Sequence, residues 1–378
     1  MKVTFLIGNG FDKQLGLETG YDQFLKWYLK QPSENDSITD FKRFLANPPS
    51  LWWADAEKAM GEYLSEFDPR HLEIYYQHIR DYKIKIIEYL LQQETLCDFS
   101  NQKEIGAEFR SFLLNYHKEI ILNKVPSKFS MYNETEYSFI NFNYTHTLNN
   151  LIEAATASRE PIYDKSYSNK NYRGVIKHLV SVHGSISSGS KGILMGVNDE
   201  NQLKIDKSFI TQKLMRTLIK PETNKALGRS EAQNARSLIK ESDILVVYGW
   251  SMGDTDKDWR DLVGEWLLEE DHHIVFFGHE KMENVNPLIP EDRLDYIDEK
   301  QTEYLNKLYP DTSALDMDEL RDSILIIDKT SYLNPGLISP QQKRIKELEA
   351  IIDNSPRIFV QKDEPKNSKD GDIWIQTE

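Results

Sequence analysis

Seven short apolar runs punctuate the chain, at residues 3–7, 138–142, 176–182, 193–196, 243–248, 273–278 and 322–327. Most are rich in β-branched residues and run into Gly or polar turn residues, which is how buried strands read. Helical patterns lie between several of them, and that alternation predicts a parallel sheet with helices on both faces. Between the first two runs, residues 21–125 read as almost wholly helical: Tyr21, Phe24, Leu25, Tyr28 and Leu29 recur at i, i+3, i+4, i+7 and i+8, and Leu72 to Leu91 does so less strictly. The same period in Trp259, Leu262, Val263, Trp266 and Leu267 predicts a helix soon after the 243–248 strand. Ser339-Pro340-Gln341-Gln342 reads as a capping box with proline at the first helical position. Near the end, Ile358-Phe359-Val360 and Asp372-Ile373-Trp374-Ile375 flank a polar stretch and predict a terminal hairpin. The expected organisation is an α/β core over 1–20 and 126–330, a helical insertion over 21–125, a C-terminal helix over 331–355 and a hairpin-like tail over 356–378.

Four polar clusters sit where the predicted strands end: Gly8-Asn9-Gly10-Phe11-Asp12, the stretch from Asn141 to Leu148, Val182-His183-Gly184-Ser185, and the stretch from Tyr248 to Asp256. In an open parallel sheet ligands bind beyond the carboxyl ends of the strands, and the first strand-to-helix turn is the usual phosphate cradle because its amides point outward. The spacing here, Gly8-x-Gly10 and then Gly16, is neither Gly-x-Gly-x-x-Gly nor a P-loop. If the sheet is parallel, all four clusters converge on one edge. Each also has a plainer use. Asn143 could cap a helix, His183 could be a satisfied core histidine, and Asp254 and Asp256 could favour the following helix through its dipole. Gly184, directly after His183, is small enough to let a ligand approach the imidazole.

Composition narrows the classes. A single cysteine, Cys97, excludes an internal disulfide and a Cys-rich zinc site, and it suits a reducing compartment. With no signal-peptide core and no 18-residue apolar run, a soluble, cytoplasmic chain is expected. The net charge of −15 disfavours extended nucleic-acid binding. Charge is uneven, however: residues 201–240 carry nine Lys and Arg against three acids, and residues 261–320 carry seventeen acids against four bases. Both read as solvated helix faces, or, for 201–240, as a basic rim over a phosphate-bearing ligand that Lys213 and Arg216 would touch. Gly249-Trp250-Ser251-Met252-Gly253 matches a nucleophile elbow, but no acid and then histidine follow on successive strand ends; His272, His273 and His279 lie within a single strand of it. Asp254-x-Asp256-x-Asp258 with Glu265 mimics a calcium loop, yet Trp259 stands where that loop needs Gly.

As an ordered set, these pieces resemble the AbiH family of bacterial phage abortive-infection proteins. They are Ile7-Gly8-Asn9-Gly10-Phe11-Asp12 with Gly16-Leu17-x-Thr19-x-Tyr21-x-x-Phe24, then Asn141-Phe142-Asn143-Tyr144-Thr145-x-Thr147-Leu148, His183-Gly184, Gly196-x-Asn198-Asp199, and Tyr248-Gly249-x-Ser251-x-x-x-Thr255-Asp256. The resemblance spans about residues 3–280. AbiH-like chains are similar, more distantly, to sirtuin-like proteins, whose defence members cleave NAD. The resemblance implies a Rossmann-like (sirtuin-like), mostly parallel sheet with a large helical insertion after the first strand. It implies a dinucleotide on Gly8, Gly10 and Asp12, Asn143 near the nicotinamide ribose and His183 as base. Asn9, Phe11, Tyr144, Thr145, Gly184, Asn198, Asp199, Gly249, Ser251 and Asp256 complete the implied nucleotide-binding set. The chain departs from the sirtuin-like pattern in its first turn, which is not Gly-Ala-Gly-x-Ser, and at Thr145, where Asp is usual. It has no paired-cysteine zinc module, which speaks against a protein deacetylase.

Cleaving an N-glycosidic bond to nicotinamide needs a group that orients the ribose and water, a base near neutral pKa and exclusion of solvent; it needs no metal. The expected function is a phage-defence effector that hydrolyses NAD or a related dinucleotide, with no cofactor beyond that nucleotide. A non-catalytic nucleotide sensor and an RNA- or nucleotide-cleaving effector stay open. Expected partners are the nucleotide, a phage-derived trigger and a second copy of the chain, with no membrane.

Overall fold

The computed structural model describes residues 1–46, 55–122, 134–157, 162–164, 172–186, 192–269, 271–277, 289–310, 317–327, 333, 336–338, 358–361 and 373–376. Its main sheet contains β1 (Lys2–Ile7), β2 (Glu134–Asn141), β3 (Ile162–Asp164), β4 (Tyr172–Ser181), β5 (Ile244–Tyr248), β6 (His273–Phe277) and β7 (Ile324–Ile327). They lie in the order β3-β4-β2-β1-β5-β6-β7, and every neighbouring pair is parallel except β3 with β4. Taken in chain order, the six parallel strands stand 3-2-1-4-5-6 across the sheet, which is the doubly wound, Rossmann-like order. The chain leaves β1 toward β2 and β4 and then returns past β1 to β5. The carboxyl ends of β1 and β5 are therefore the topological switch point, where such sheets open a crevice.

The expected strand at 193–196 does not form. Gly184 and Val197 make only single bridges, to Ile193 and Ile219, and Gly196 (φ +159°) packs its backbone on the carbonyl of Leu218. The segment is apolar because Leu194, Met195 and Val197 are buried, not because it joins the sheet.

Between β1 and β2 run α1 (Asn9–Gln14), α2 (Tyr21–Lys30), α3 (Asp36–Ala46), α4 (Ala56–Glu62), α5 (Glu73–Glu94) and α6 (Gln102–Leu122). They do two different jobs. Phe109, Phe112 and Tyr116 of α6 cover one face of the sheet, with ring centroids 5.0–6.0 Å from Phe5, Phe139 and Tyr248. Phe24, Tyr28, Phe41, Tyr75, Tyr82 and Leu90, from α2, α3 and α5, instead share one apolar cluster with Met195, Val197, Leu214 and Leu218. That helical layer leans on the loop after β4, and residues 1–335 form one compact unit.

The remaining helices are α7 (Thr147–Ala157), α8 (Gln212–Leu218), α9 (Lys220–Ala226), α10 (Glu231–Lys240), α11 (Lys257–Leu267), α12 (Pro290–Leu308) and α13 (Met317–Asp322). On the second face of the sheet, Leu6, Ile140, Val247 and Phe276 meet Ile239 of α10, Trp259, Val263 and Trp266 of α11, and Leu305 of α12. Residues buried on both faces explain why these strands read as continuous apolar runs. Among the described residues no helix is long and apolar enough to cross a membrane.

Residues 336–378 form a second compact unit. Within it, β8 (Ile358–Gln361) and β9 (Ile373–Gln376) pair in parallel, Ile358 opposite Ile373, so the expected terminal hairpin is corrected. A hairpin joins antiparallel strands through two to five residues, and residues 362–372 are too many for that turn. The capping box at 339–342 and the expected helix over 331–355 lie outside the described residues but for a few positions.

Candidate functional site

The turn after β1 is locked to the turn after β5. The N–H of Gly8 donates to the Tyr248 carbonyl (3.0 Å), that of Gly10 to Gly249 (2.9 Å) and that of Phe11 to Gly8 (3.0 Å). A Cβ on Gly8 would stand 2.4 Å from the Cα of Trp250, and one on Gly249 (φ +72°) would stand 2.3 Å from the nitrogen of Phe11. Glycine is present because two backbones touch. The picture of outward amides is corrected to that extent: those of Gly8, Gly10 and Phe11 are committed to this junction. Asn143 ties in the loop after β2, its Nδ2 donating to the Gly8 carbonyl at 3.1 Å. Asn9 is held by Thr19, whose carbonyl accepts from its Nδ2 at 2.9 Å.

A cavity of about 510 Å³ opens over this junction. All four expected clusters reach it: Gly8, Asn9, Gly10 and Asp12 from the first, Asn143, Tyr144 and Thr145 from the second, His183 from the third, and Gly249, Ser251 and Asp256 from the fourth. Four of the implied residues do not line it. Phe11 is a core residue, edge-on to Tyr248 at 5.3 Å. Gly184 (φ +76°) uses its smallness elsewhere, since a Cβ there would meet the Gly192 carbonyl at 2.0 Å. Asn198 donates through Nδ2 to Asp258 (2.9 Å), and Asp199 accepts from the N–H of Asn201 (2.8 Å) at the start of a short 3-10 turn.

Behind His183 lies a buried charge network that the local sequence does not announce. Its Nε2 is 3.1 Å from Asp256 Oδ1, an ion-pair distance that is out of line for a hydrogen bond. Lys220 Nζ sits between two carboxylates, 2.7 Å from Asp256 Oδ1 and 2.9 Å from Glu57 Oε2. Tyr144 donates its hydroxyl to Glu57 Oε1 at 2.6 Å, and Trp250 Nε1 donates to Asp256 Oδ2 at 3.2 Å. Burial works to raise the Asp256 carboxyl, but Lys220 and His183 outweigh it and hold the group well below the usual carboxylate range. For Lys220 burial works downward, and Asp256 and Glu57 overcome it, so the ammonium stays charged. Glu57 comes from α4 and Lys220 from the start of α9, so only the packed fold brings them to the strand ends.

Asp12 is a second buried acid at the cavity. Thr145 Oγ1 donates to its Oδ2 at 2.6 Å. Burial pushes its carboxyl up to about 7; Glu94 adds to this, while the hydrogen bonds of Thr145 and Asn143 work against it.

Position bears on two further expectations. The basic segment 201–240 does not rim the cavity, and none of its cations is in the wall. Lys213 lies over the Tyr76 ring (4.1 Å), Arg229 donates to the Gly192 carbonyl (2.9 Å), Arg236 meets Asp258 (3.5 Å), and Lys220 is locked in the network. Ser251 lines the cavity, but among the described residues the serines seen hydrogen-bonded to imidazoles are Ser37 with His78 (2.8 Å) and Ser185 with His146 (2.6 Å), and neither pair is in the wall.

A doubly wound α/β sheet with a crevice at its switch point, lined by six acids and three lysines among apolar and small residues, is an architecture of the Rossmann-like kind. The chain belongs to the bacteriophage abortive infection AbiH family, whose sequence model matches residues 4–278. That membership places it among the proteins of antiviral defence by abortive infection. No curated protein gives a significant match to the chain.

Proposed function

We propose that this AbiH protein is an abortive-infection effector whose cavity binds a nucleotide and hydrolyses the N-glycosidic bond of NAD or a related dinucleotide. The observation that carries the reading is the meeting of Asn143 and His183 in one cavity, although forty residues separate them in the chain. The sirtuin-like pattern that the sequence motifs resemble implies the same pairing.

The electrostatics suit the reaction. When the bond from C1′ to the pyridinium nitrogen breaks, its electron pair leaves with nicotinamide and positive charge develops on the ribose, as in other glycosyl transfers. Asp22, Asp55, Glu57, Asp256 and Glu303 line the cavity with Asp12, against Lys13, Lys300 and Lys307, and Asp256, held ionised beside His183, favours a cationic transition state. With Nε2 of His183 turned to Asp256, Nδ1 takes the proton of the attacking water as the new C1′–O bond forms, and Asp256 steadies the imidazolium. Asn143 orients ribose and water.

A second reading, nucleotide sensing without turnover, is favoured by the 6% exposure of His183 and its tie to a salt-bridged network. The RNA-cleaving reading has lost its observation, since the basic segment is elsewhere. Incubating the protein with NAD, NADP and ATP and analysing products by mass spectrometry decides between them. Nicotinamide and ADP-ribose are expected from NAD, and His183→Ala abolishes them while leaving the melting temperature close to wild type. Binding without consumption selects the sensor, and a sharp loss of stability with activity per folded molecule intact makes His183 a core histidine.

A further inference from the structure

Phosphates on a ligand in this cavity need partners, and the first-turn amides of Gly8, Gly10 and Phe11 are already engaged. The cations of 201–240 are also elsewhere. Among the described residues of the wall, the lysines are Lys13 on α1 and Lys300 and Lys307 on α12. Tyr296, Lys300, Glu303, Tyr304 and Lys307 recur at i, i+4, i+7, i+8 and i+11, so one face of α12 lines the cavity. This helix lies beyond the span matched by the AbiH family model.

Glu303 sits between the two lysines, with Lys300 Nζ and Lys307 Nζ each 2.8 Å from its carboxylate. Burial works to raise that carboxyl, and the two ammonium groups outweigh it and keep it ionised. Lys300 runs beside the ring of Tyr296 (5.9 Å) and Lys307 beside that of Tyr304 (5.5 Å), while Tyr304 lies flat on Phe276 at 3.8 Å. Both arms thus run beside tyrosine rings, one of them packed on the sheet, and they meet at the Glu303 carboxylate. Such a carboxylate marks the place of an anion.

We propose that Lys300 and Lys307 are the phosphate-binding subsite of the cavity, and that Glu303 is an internal anion which a phosphate or diphosphate group displaces. A phosphate dianion carries more charge and more acceptor oxygens than a carboxylate, and it gains two charge-assisted hydrogen bonds by the exchange. The proposal rests on the nucleotide reading for the rest of the ligand, not for the subsite itself. It also makes an unusual demand: removing the glutamate must strengthen anion binding, whereas removing the lysines weakens it.

The test is isothermal titration of the full chain with inorganic pyrophosphate, adenosine, AMP and NAD, at low and at moderate salt. The proteins are wild type, Lys300→Gln with Lys307→Gln, and Glu303→Gln. These are helix-compatible, neutral changes on a partly exposed face. Pyrophosphate is expected to bind wild type, to lose about tenfold or more with the lysine pair replaced and to gain several-fold with Glu303→Gln. Adenosine should be indifferent to all three changes. Equal pyrophosphate affinity in the three proteins, or none in wild type, overturns the subsite. If pyrophosphate follows the lysines while AMP and NAD bind no tighter than pyrophosphate, the nucleotide reading has failed and the subsite stands. If NAD binds and the lysine changes leave it untouched, the subsite has failed and the reading stands.

Discussion

Two buried groups at the cavity make opposite statements about stability. Asp12 carries a carboxyl whose folded-state pKa is pushed to about 7 from an ordinary 3.8. Because the unfolded chain ionises first, stability is unaffected below the ordinary value and falls as pH rises from about 4 to about 7. Asp12→Asn should therefore be the more stable protein at pH 8, with the advantage shrinking toward pH 5. At about 1.4 kcal/mol per pKa unit the ceiling is about 4 kcal/mol. Urea midpoints across that range check it, and a constant difference between the two proteins would show that Asp12 does not titrate there. Lys220 is the reverse case, since it alone bridges the Glu57 and Asp256 carboxylates. Lys220→Met should cost about 3–5 kcal/mol, because it strands two buried anions. Adding Glu57→Gln should return part of the loss, as expected of coupled neighbours. A full, additive loss in the double variant would mean the pair is not coupled.

At the scale of elements, the site exists because the loops after β1 and β5 are bonded backbone to backbone and the Asn143 side chain ties in the loop after β2, and the glycines report that closeness. Gly249→Ala places a methyl 2.3 Å from a backbone nitrogen at φ +72°, whereas a Cβ on Gly253 meets only Ser251 Oγ at 3.8 Å. We expect about 2 kcal/mol or more of destabilisation for Gly249→Ala and within about 0.5 kcal/mol for Gly253→Ala, read from urea melts. Similar losses in both would mean the loop relaxes and the junction is not rigid. The helical period of Tyr21 to Leu29 and of Trp259 to Leu267 was legible in the chain, and so were the glycine turns. The run at 193–196 misled because a buried loop and a buried strand carry the same apolar residues, and periodicity does not separate them.

Across the whole molecule, the cavity wall draws on the sheet edge, on Tyr21 and Asp22 of α2, on Glu57 of α4, on Ile86 and Leu90 of α5, and on α12. A ligand held there touches elements from widely separated parts of the chain and binds only when they are assembled. By mass action NAD at a hundred times its dissociation constant should add about 2.7 kcal/mol to the folding stability of residues 1–335. The thermal midpoint of the full chain should rise with NAD concentration, and a midpoint indifferent to NAD would count against this cavity as its site.

The α/β class, the positions of most strands, the turns at Gly8 and Gly249 and the four polar clusters are legible in the chain alone, because they follow from local periodicity and from turns where touching backbones leave no room for a side chain. The chain also carries the ordered set of motifs that resembles the AbiH family, whose model matches residues 4–278. What stands behind them came from the packing of distant segments. The pairing of Lys220 with Glu57 and Asp256 joins residues up to 163 positions apart, and the face of α12 enters the cavity by packing on β6. No spacing rule encodes such neighbours. They are selected by the burial of apolar faces, and the charges carried on those faces then meet in a low-dielectric interior where each must find a partner.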